Sequence, residues 1–399
     1  MRAEIPTKIL IGDCREVLKT LPDESVDSVV TDPPYELGFM GKSWDSTGIA
    51  YDVELWREVL RVIKPGGHLL AFGGSRTYHR MACAIEDAGF EIRDQIMWIY
   101  GSGFPKSLNV GKAIDKAAGI DRPVEGYKNS DRPNVVGKKG GSMSGEYTRR
   151  PITSPQTEQS KEWDGWGTAL KPAHEPICLA RKPLSEKTVA ANVLKWGTGA
   201  LNIDDSRVSV EDAEYQKNCS GDRGHAGTRE EGLSTNMTPG GGSANNSGRF
   251  PANLILDEEA GKMVDEQSGI RKSGEMKGFY KGITKAKSVC FGEFKHAERN
   301  IKANSGGASR FFYCSKASRK DRGQDNNHPT VKPIRLMEYL VRLVTPSKGL
   351  VLDPFAGSGT TCLAALRLGF KTIGIEANPE YAEIFASRLK SETDQGLLF

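Results

Sequence analysis

Short apolar runs and amphipathic segments alternate near the start of the chain. Four apolar runs predict strands, at residues 8–12, 25–31, 68–72 and 92–100. Segments with helical periodicity lie between them and predict helices, at residues 14–20, 53–63 and 76–88. Strands that alternate with helices in this way form βαβ units, which favour a parallel sheet.

The end of the chain repeats this alternation. Strands are predicted at 349–353 and 371–376, and helices at 333–344, 360–368 and 379–389. The predicted strands are continuous apolar runs, as expected for strands buried on both faces of a parallel sheet. Neither end has enough strands for a complete doubly wound sheet, so we expect the two ends to join in one sheet.

The middle of the chain has a different composition. Gly, Ser, Asn and Lys are frequent there, as in Gly137–Ser142 and Thr238–Ser243, which is typical of loops and linkers. Three short apolar or aromatic runs are predicted to add edge strands, at 175–180, 252–256 and 310–314. The sequence therefore predicts an α/β fold with a mostly parallel sheet, built from residues 1–100 and 310–399, with residues 101–309 as a large insertion.

The composition excludes several classes of protein. With 399 residues, 37% of them hydrophobic and 27% charged, the chain can bury a sizeable core. No apolar stretch approaches the ~20 residues that a membrane-spanning helix needs, and we expect no secretory signal. The 7 cysteines include no Cys-x-x-Cys pair, which argues against a zinc ribbon or a disulfide framework. We expect a cytoplasmic protein without a bound metal.

The net charge of +4 conceals strong local differences. Residues 268–325 carry 14 Lys and Arg against 5 Asp and Glu, whereas residues 1–100 carry 11 against 16. Residues 101–171 are also basic, with 12 against 8. This division favours a surface that binds a polyanion, although solvated loops give the same pattern.

A glycine-rich turn follows the strand that is predicted to end at Asp353. Its residues, DPFAGSGTT from Asp353 to Thr361, lead directly into a predicted helix. Glycines let the backbone pass close to a ligand, and the start of the helix offers free N–H donors. Glu376 ends the next predicted strand, where a carboxylate can accept both hydroxyls of a ribose. A ligand that carries a ribose is favoured, although a tight turn alone would explain the glycines.

A second candidate site follows the strand predicted at 25–31. There Asp32, Pro33, Pro34 and Tyr35 form the sequence DPPY. The prolines end the strand and fix the backbone, so we expect the Asp32 carboxylate and the Pro33 carbonyl to point to one place. Two acceptors beside the flat ring of Tyr35 suit an amino group on a planar base. A simple turn at the end of a strand is the alternative interpretation.

Together the two motifs resemble the amino-methyltransferases that act on adenine or cytosine in DNA. Members of this family carry a (Asp/Asn/Ser)-Pro-Pro-(Tyr/Phe/Trp) tetrad and a Phe-x-Gly-x-Gly motif for S-adenosylmethionine. The tetrad precedes the glycine motif here, an order similar to that of the permuted β group. The resemblance covers residues 1–100 and 310–399, includes turn patterns similar to those of phage and prophage members, and implies a Rossmann-like methyltransferase fold.

The resemblance also implies roles for individual residues. Asp32, Pro33, Pro34 and Tyr35 would form the catalytic tetrad. Asp13 would lie near the adenine of the cofactor. The remaining residues expected to bind S-adenosylmethionine are Thr330 and Lys332, near its methionine end, and Asp353, Phe355, Gly357, Gly359, Thr360 and Glu376.

The function implied is a site-specific methyltransferase that modifies the exocyclic N6 of adenine, in a base flipped out of double-stranded DNA. Asp in the first tetrad position resembles the adenine enzymes, because the cytosine-N4 enzymes more often have Ser there. Cytosine-N4 methylation, an RNA substrate and a binding protein of the same fold without turnover remain alternatives. No nuclease constellation is evident, which favours an enzyme without a restriction partner, and a homodimer is left open.

Target recognition is expected in the insertion. Lys161–Lys171 includes Trp163 and Trp166, and Arg271–Arg322 combines basic residues with Phe279, Tyr280, Phe291, Phe294, Phe311 and Phe312. The basic side chains would contact phosphates and a few others would read base edges, although aromatic residues more often belong to a core. The pair His174–Glu175 either lines the site or simply starts a strand.

Overall fold

The computed structural model describes residues 7–37, 46–101, 103, 107–133, 147–208, 248–273, 304–315 and 331–394. They fall into two units. The first comprises Met1–Ser102 together with His174–Phe399, and the second comprises Gly103–Ala173. Both candidate motifs belong to the first unit. The predicted division at residues 100 and 309 stays a prediction.

The elements are numbered here in chain order. The strands are β1 Thr7–Ile11, β2 Val26–Thr31, β3 Ile63–Phe72, β4 Glu91–Ile99, β5 Val124–Pro133, β6 Tyr147–Thr153, β7 His174–Arg181, β8 Leu254–Asp257, β9 Arg271–Ser273, β10 Asn304–Gly306, β11 Tyr313–Ser315, β12 Leu350–Asp353 and β13 Lys371–Glu376. The helices are α1 Cys14–Val17, α2 Val53–Val62, α3 Tyr78–Asp87, α4 Val110–Ala117, α5 Glu158–Glu162, α6 Val189–Trp196, α7 Glu258–Ser268, α8 Ile334–Val344, α9 Thr360–Arg367 and α10 Pro379–Asp394.

One sheet of nine strands dominates the first unit, in the order β1-β13-β12-β2-β3-β7-β4-β8-β11. Strand β12, from the end of the chain, pairs in parallel with β2, from its beginning. Strand β7 pairs antiparallel with both of its neighbours, β3 and β4, while the other pairs are parallel. The predicted α/β fold, with one mostly parallel sheet built from both chain ends, is therefore confirmed.

The sheet also uses strands from the middle of the chain, and two of these are not at its edge. The predicted edge position is wrong for β7, which lies between β3 and β4, and for β8, which lies between β4 and β11. It is correct for β11. An apolar run indicates that a strand is buried on both faces of the sheet, but it does not indicate which strands pair with it.

Alternation along the strands places a core on each face of the sheet. Val29 and Leu69 join one buried cluster, whereas Val30 and Leu70 join another. The first cluster includes Trp56 of α2, which is fully buried, and the second contains most of α8. Successive side chains of a strand point to opposite faces, so helices cover both faces, as in a doubly wound sheet.

Helix α2 shows how the local sequence supports this packing. The side chain of Asp52 caps its start by accepting a hydrogen bond from the Glu54 amide at 3.0 Å. Apolar residues then recur at helical spacing, and four of them are buried: Leu55, Trp56, Val59 and Val62. The helix therefore presents one apolar stripe to the sheet.

The second unit contains α4, α5 and the antiparallel pair β5–β6. Asp115 of α4 is buried and accepts hydrogen bonds from the amides of Gln156 and Thr157, at 3.1 and 3.0 Å, and from the Nε of Arg122 at 2.6 Å. These bonds join α4 to the segment that leads into α5. A region that the composition predicts as loops is therefore partly ordered around one carboxylate.

In the part of the chain that the structure describes, no helix combines the length and apolar character needed to cross a membrane.

Candidate functional site

The carboxyl edge of the sheet brings the candidate residues together. Strands β1, β2, β12 and β13 run parallel, so the residues that follow them share one edge. Asp13, Asp32 and Phe355 follow strands β1, β2 and β12 at this edge. Glu376 is the last residue of β13. Because β7 runs in the opposite direction, its first residues, including Glu175, lie at this same edge.

A cluster of polar groups forms around the ammonium group of Lys332. Its Nζ lies 2.8 Å from Oδ2 of Asp32 and 3.1 Å from Oε2 of Glu175. It also donates a hydrogen bond to the Tyr35 hydroxyl at 3.0 Å, and that hydroxyl donates to Oε2 of Glu175 at 2.9 Å. We call these four residues, Asp32, Tyr35, Glu175 and Lys332, the ion cluster.

The second carboxylate oxygen of Asp32 has a different environment. Oδ1 is buried and accepts no hydrogen bond from any residue that the structure describes. A buried polar atom left in this state costs about 1–3 kcal/mol, so a donor from a ligand would be favoured here. The site therefore offers one fixed carboxylate with one free acceptor.

Burial and charge act against each other in the ion cluster. Burial raises the pKa of the Asp32 carboxyl, and the Lys332 ammonium opposes this shift. Burial acts to lower the pKa of Lys332, but the carboxylates of Asp32 and Glu175 outweigh it and raise that pKa above its ordinary value. Lys332 therefore stays charged at neutral pH. Burial also raises the pKa of the Tyr35 hydroxyl, which stays protonated and able to donate.

Flat and apolar groups surround the tetrad. The Lys332 Nζ lies 5.2 Å from the centre of the Tyr35 ring and 4.9 Å from that of Phe72, a distance typical of cation–π contacts. The hydroxyl of Thr77 donates a hydrogen bond to the Tyr35 carbonyl at 2.8 Å. A small cleft adjoins the tetrad and is lined by Pro34, Tyr35, Tyr51, Gly73, Thr77 and Met81, among others.

Asp353 joins the glycine motif to the strand that carries the tetrad. It is 1% exposed, and its Oδ1 accepts from the hydroxyl of Thr31 at 2.6 Å and from the amide of Phe355 at 3.1 Å. Burial raises the pKa of Asp353 to about 6, against the effect of these hydrogen bonds. Because Thr31 immediately precedes Asp32, the two motifs are in direct contact through this bond.

The glycine motif itself is held by its neighbours. Gly357 has a φ of 53° and donates its amide to Oε2 of Glu376 at 2.8 Å. Gly359 has a φ of 81° and caps α9, which starts at Thr360. A side chain at Gly359 would overlap the ring of Phe385, so packing as well as ligand approach explains this glycine.

The first strand ends beside this motif. The amide of Gly12 donates to the Glu376 carbonyl at 2.9 Å, which places Asp13 next to Glu376. Asp13 caps α1, and its carboxylate pairs with Arg15, whose hydrogen bonds lower the Asp13 pKa. Ile11 is 60% exposed at this point. A fixed acid and an apolar side chain thus lie together at the edge.

These groups fit the S-adenosylmethionine that the sequence implies. The two oxygens of Glu376 accept from the amides of Gly357 and Asn378, at 2.8 and 2.7 Å, which fixes the carboxylate and leaves it further acceptor capacity for ribose hydroxyls. The start of α9 and the exposed Ile11 supply N–H donors and an apolar surface. Among the described residues, no group of His, Cys, Asp and Glu could hold a metal ion.

Three of the predicted residues, Thr330, Lys332 and Glu175, have different outcomes in the structure. Thr330 lies outside the described residues. Lys332 is found in the ion cluster, in contact with Asp32, and its predicted contact with the cofactor stays a prediction. Glu175 contacts Tyr35 and Lys332, and it is also the second residue of β7, so the strand-start interpretation agrees with the structure as well. The sequence alone leaves both interpretations open, because the contact of Glu175 with the tetrad depends on the antiparallel direction of β7.

The predicted recognition residues are only partly described. Phe311 and Phe312 precede β11, so they lie at the amino edge of the sheet, opposite to the edge of the tetrad. Phe311 is 48% exposed and contacts the guanidinium groups of Arg249 and Arg310. Outside the described residues lie Phe279, Tyr280, Phe291 and Phe294. Trp163 and Trp166 belong to the second unit, with ring centres 5.0 Å apart.

Comparison with known proteins identifies the family. M.HindIII of Haemophilus influenzae, a Type II methyltransferase, is 24% identical over 343 residues, covering 85% of this chain and 69% of that protein. The DNA adenine methyltransferase YhdJ of Escherichia coli is 46% identical over 63 residues, covering 16% of this chain and 21% of that protein. The solved structure of the cytosine-N4-specific PvuII DNA methyltransferase is 16% identical, covers 98% of this chain and 92% of that one, and has a TM-score of 0.44. A profile described as DNA methylase, N6_N4_Mtase, matches residues 26–387, and the chain therefore belongs to the N6/N4 family of DNA methylases.

Proposed function

We propose that this protein transfers a methyl group from S-adenosylmethionine to the exocyclic N6 of adenine in double-stranded DNA. The observation that carries the proposal is the buried Oδ1 of Asp32, an acceptor without a donor among the described residues, in a residue that shares the Lys332 ammonium with Tyr35. An aromatic amino group supplies the donor that this atom lacks. A nucleobase also supplies a flat face for the ring.

Hydrogen bonds to the target nitrogen are the main chemical task of the tetrad. The lone pair of an aromatic amino nitrogen is delocalised into its ring, which makes the nitrogen a poor nucleophile. Acceptors at Asp32 Oδ1 and at the Pro33 carbonyl favour a more tetrahedral nitrogen with a more available lone pair. Lys332 and Glu175 hold Asp32 and Tyr35 in place for this contact.

Methyl transfer requires only the cofactor, the target base and an acceptor for one proton. S-adenosylmethionine, when bound, supplies a methyl group on a positively charged sulfur. The nitrogen lone pair would form the new N–C bond, while the C–S bond of the bound cofactor would break and leave its electron pair on sulfur. The target nitrogen gains a positive charge in this step and then releases a proton, for which Asp32 Oδ1 is the adjacent acceptor.

The glycine motif and its neighbours would hold the cofactor. Glu376 would accept from the ribose hydroxyls, and Asp13 with Ile11 would flank the adenine. The backbone at Phe355, Gly357 and Gly359, with the start of α9 at Thr360, would pass beside the methionine part. Asp353 is buried under the motif and fixes it through the Phe355 amide, so its role is positioning rather than contact.

Double-stranded DNA must open locally at this site. The amino group of a paired base cannot reach the buried Oδ1 of Asp32, so the target base has to leave the helix, at a cost of a few kcal/mol. Stacking on Tyr35 recovers part of this cost. Action on DNA is consistent with the expected cytoplasmic location, and the chain would act without a restriction partner.

Sequencing of modified bases tests the proposal. Genomic DNA is taken from a methylation-free bacterial host that expresses the protein, with the Asp32→Ala variant as control. We expect N6-methyladenine at one recurrent sequence with the wild type and at none with the variant. N4-methylcytosine instead would overturn the adenine assignment, and unmodified DNA from both strains would overturn the activity.

A further inference from the structure

The ion cluster contains one more carboxylate than the tetrad requires. Glu175 comes from β7, more than a hundred residues from Asp32 in the chain, and it enters the site because β7 alone runs antiparallel in this sheet. Its side chain is 20% exposed, comparable with the 18% of Asp32. A carboxylate that is largely buried at the tetrad must offset its desolvation through its partners.

Charge balance indicates what Glu175 contributes. Lys332 and Asp32 alone would form a neutral pair, in which the positive charge of the ammonium offsets the negative charge of the carboxylate. With Glu175 as second partner of Lys332, two carboxylates and one ammonium leave the ion cluster with a net charge of −1. The target nitrogen becomes positively charged as it accepts the methyl group, and a nearby negative charge stabilises that state.

Glu175 also fixes the ring of Tyr35. The Tyr35 hydroxyl donates to Glu175 and accepts from Lys332, at 2.9 and 3.0 Å, so both of its main hydrogen-bonding directions are used. The ring is therefore held against rotation without any contact from the ligand. A ring fixed in advance lowers the entropic cost of stacking on a base.

We propose that Glu175 is a positioning residue for methyl transfer, which keeps the ion cluster at a net charge of −1 and orients Tyr35 and Lys332. The inference rests on the proposed function and deepens it. Glu175 acts through Asp32, Tyr35 and Lys332, and no contact of Glu175 with the base or the cofactor is required.

Single and double variants of Glu175 and Lys332 test this role directly. Glu175→Gln keeps the shape of the side chain and makes the ion cluster neutral, and Lys332→Met makes it doubly negative. The double variant leaves Asp32 without the Lys332 ammonium, which opposes the effect of burial on the Asp32 pKa, so it tests whether Glu175 acts through Lys332. With cofactor and DNA saturating, we expect kcat of Glu175→Gln to fall by roughly 100-fold. In the Lys332→Met background, Glu175→Gln should cost at least about tenfold less in kcat than in the wild type, because the two residues act through one cluster.

A matched control and two further readouts make the result decisive. Glu54→Gln removes an exposed carboxylate that pairs with Arg57 on α2, and it should keep the wild-type kcat. Cofactor affinity and thermal unfolding are measured for every variant, and Glu175→Gln should match the wild type in both. Equal kcat in Glu175→Gln and wild type, the same loss from Glu175→Gln in the wild-type and Lys332→Met backgrounds, or a parallel loss of folding would each overturn the inference. Absence of methyl transfer by the wild type would instead overturn the proposed function.

Discussion

Asp353 of the glycine motif contacts β2, the strand that leads into the tetrad. It is buried, and its Oδ1 holds the hydroxyl of Thr31 and the amide of Phe355. The sequence predicts Asp353 as a cofactor residue because it precedes the glycine turn. Its bond to Thr31 depends on the pairing of β12 with β2, which no local pattern reveals.

Replacement of Asp353 by Asn should change how stability depends on pH. Burial raises the pKa of Asp353 to about 6 in the folded protein, above its value in the unfolded chain, so the folded state holds the proton more tightly. Relative to Asp353→Asn, the wild type should therefore lose stability as the pH rises from about 4 to above 6. A shift of two pKa units corresponds to roughly 3 kcal/mol. Urea unfolding of both proteins across this range measures the difference, and a difference independent of pH would contradict the assignment.

The tetrad shows what sequence can and cannot reveal about single residues. Asp32 and Tyr35 follow a buried strand in a recognisable motif, and the structure places both in one cluster with Lys332. Glu175 is predicted only as half of the pair His174–Glu175, which either lines the site or starts a strand. Its place at the tetrad follows from the direction of β7, and direction is a property of the assembled sheet.

At the level of elements, the turn between β12 and α9 is constrained by both its backbone conformation and its packing. Gly359 adopts a φ of 81°, and a side chain there would overlap the ring of Phe385, which is fully buried in α10. The sequence predicts this turn from its glycines. Which of them is required by packing depends on α10, and the spacing of the glycines does not show it.

Gly359→Ala should destabilise the protein more than the same change at Gly369. The two glycines have φ values of 81° and 79°, but a side chain at Gly369 meets nothing within 4 Å. We expect a loss of about 1–2 kcal/mol from the backbone at either position. At Gly359 the overlap with Phe385 should add roughly 1–3 kcal/mol. Urea unfolding of the two variants measures this difference. Equal losses in the free energy of unfolding would show that the Phe385 ring moves aside without destabilising the protein.

The strands from the middle of the chain reveal a limit of pattern analysis at this scale. Apolar runs predict β7 and β8 close to their observed bounds. They do not predict that β7 inserts between β3 and β4. The apolar pattern of a strand buried on both faces is the same whether the strand runs parallel or antiparallel to its neighbours. The position of β7 is nevertheless what brings Glu175 to the tetrad.

Across the whole molecule, charge is divided more unevenly than the net value of +4 suggests. The most basic stretch, residues 268–325, carries 14 Lys and Arg against 5 Asp and Glu. DNA is the substrate class of the family to which this chain belongs. We therefore expect this stretch to bind phosphates of the DNA backbone, as the sequence predicts, although most of it lies outside the described residues.

The salt dependence of DNA binding tests this expectation. Lys281, Lys285 and Lys287 are replaced together by Gln, and the slope of log K against log salt is compared with the wild type. For every phosphate that the variant no longer neutralises, the slope should become shallower by about 0.9. The matched control replaces Lys19, Lys195 and Lys262, which are exposed and paired with neighbouring carboxylates, and should leave the slope unchanged. An unchanged slope in the first variant would show that these three lysines do not neutralise phosphates of the DNA.

The sequence predicts one sheet built from both ends of the chain, because the apolar runs at each end are typical of buried strands. The second unit is not predictable in this way. Its composition resembles that of loops, and its order depends on Asp115, whose partners Arg122 and Thr157 are 7 and 42 residues away. Such a buried polar centre leaves no apolar periodicity in the sequence.

Methyl transfer by purified protein, measured together with cofactor binding, tests the central claim most directly. Wild type and Asp32→Ala are incubated with DNA and labelled S-adenosylmethionine, and the affinity for the cofactor is measured separately for each. The account predicts that the wild type labels DNA, and that Asp32→Ala loses at least about 100-fold in rate while binding the cofactor as tightly. Undiminished transfer by Asp32→Ala, or an equal loss of transfer and cofactor binding, would contradict it.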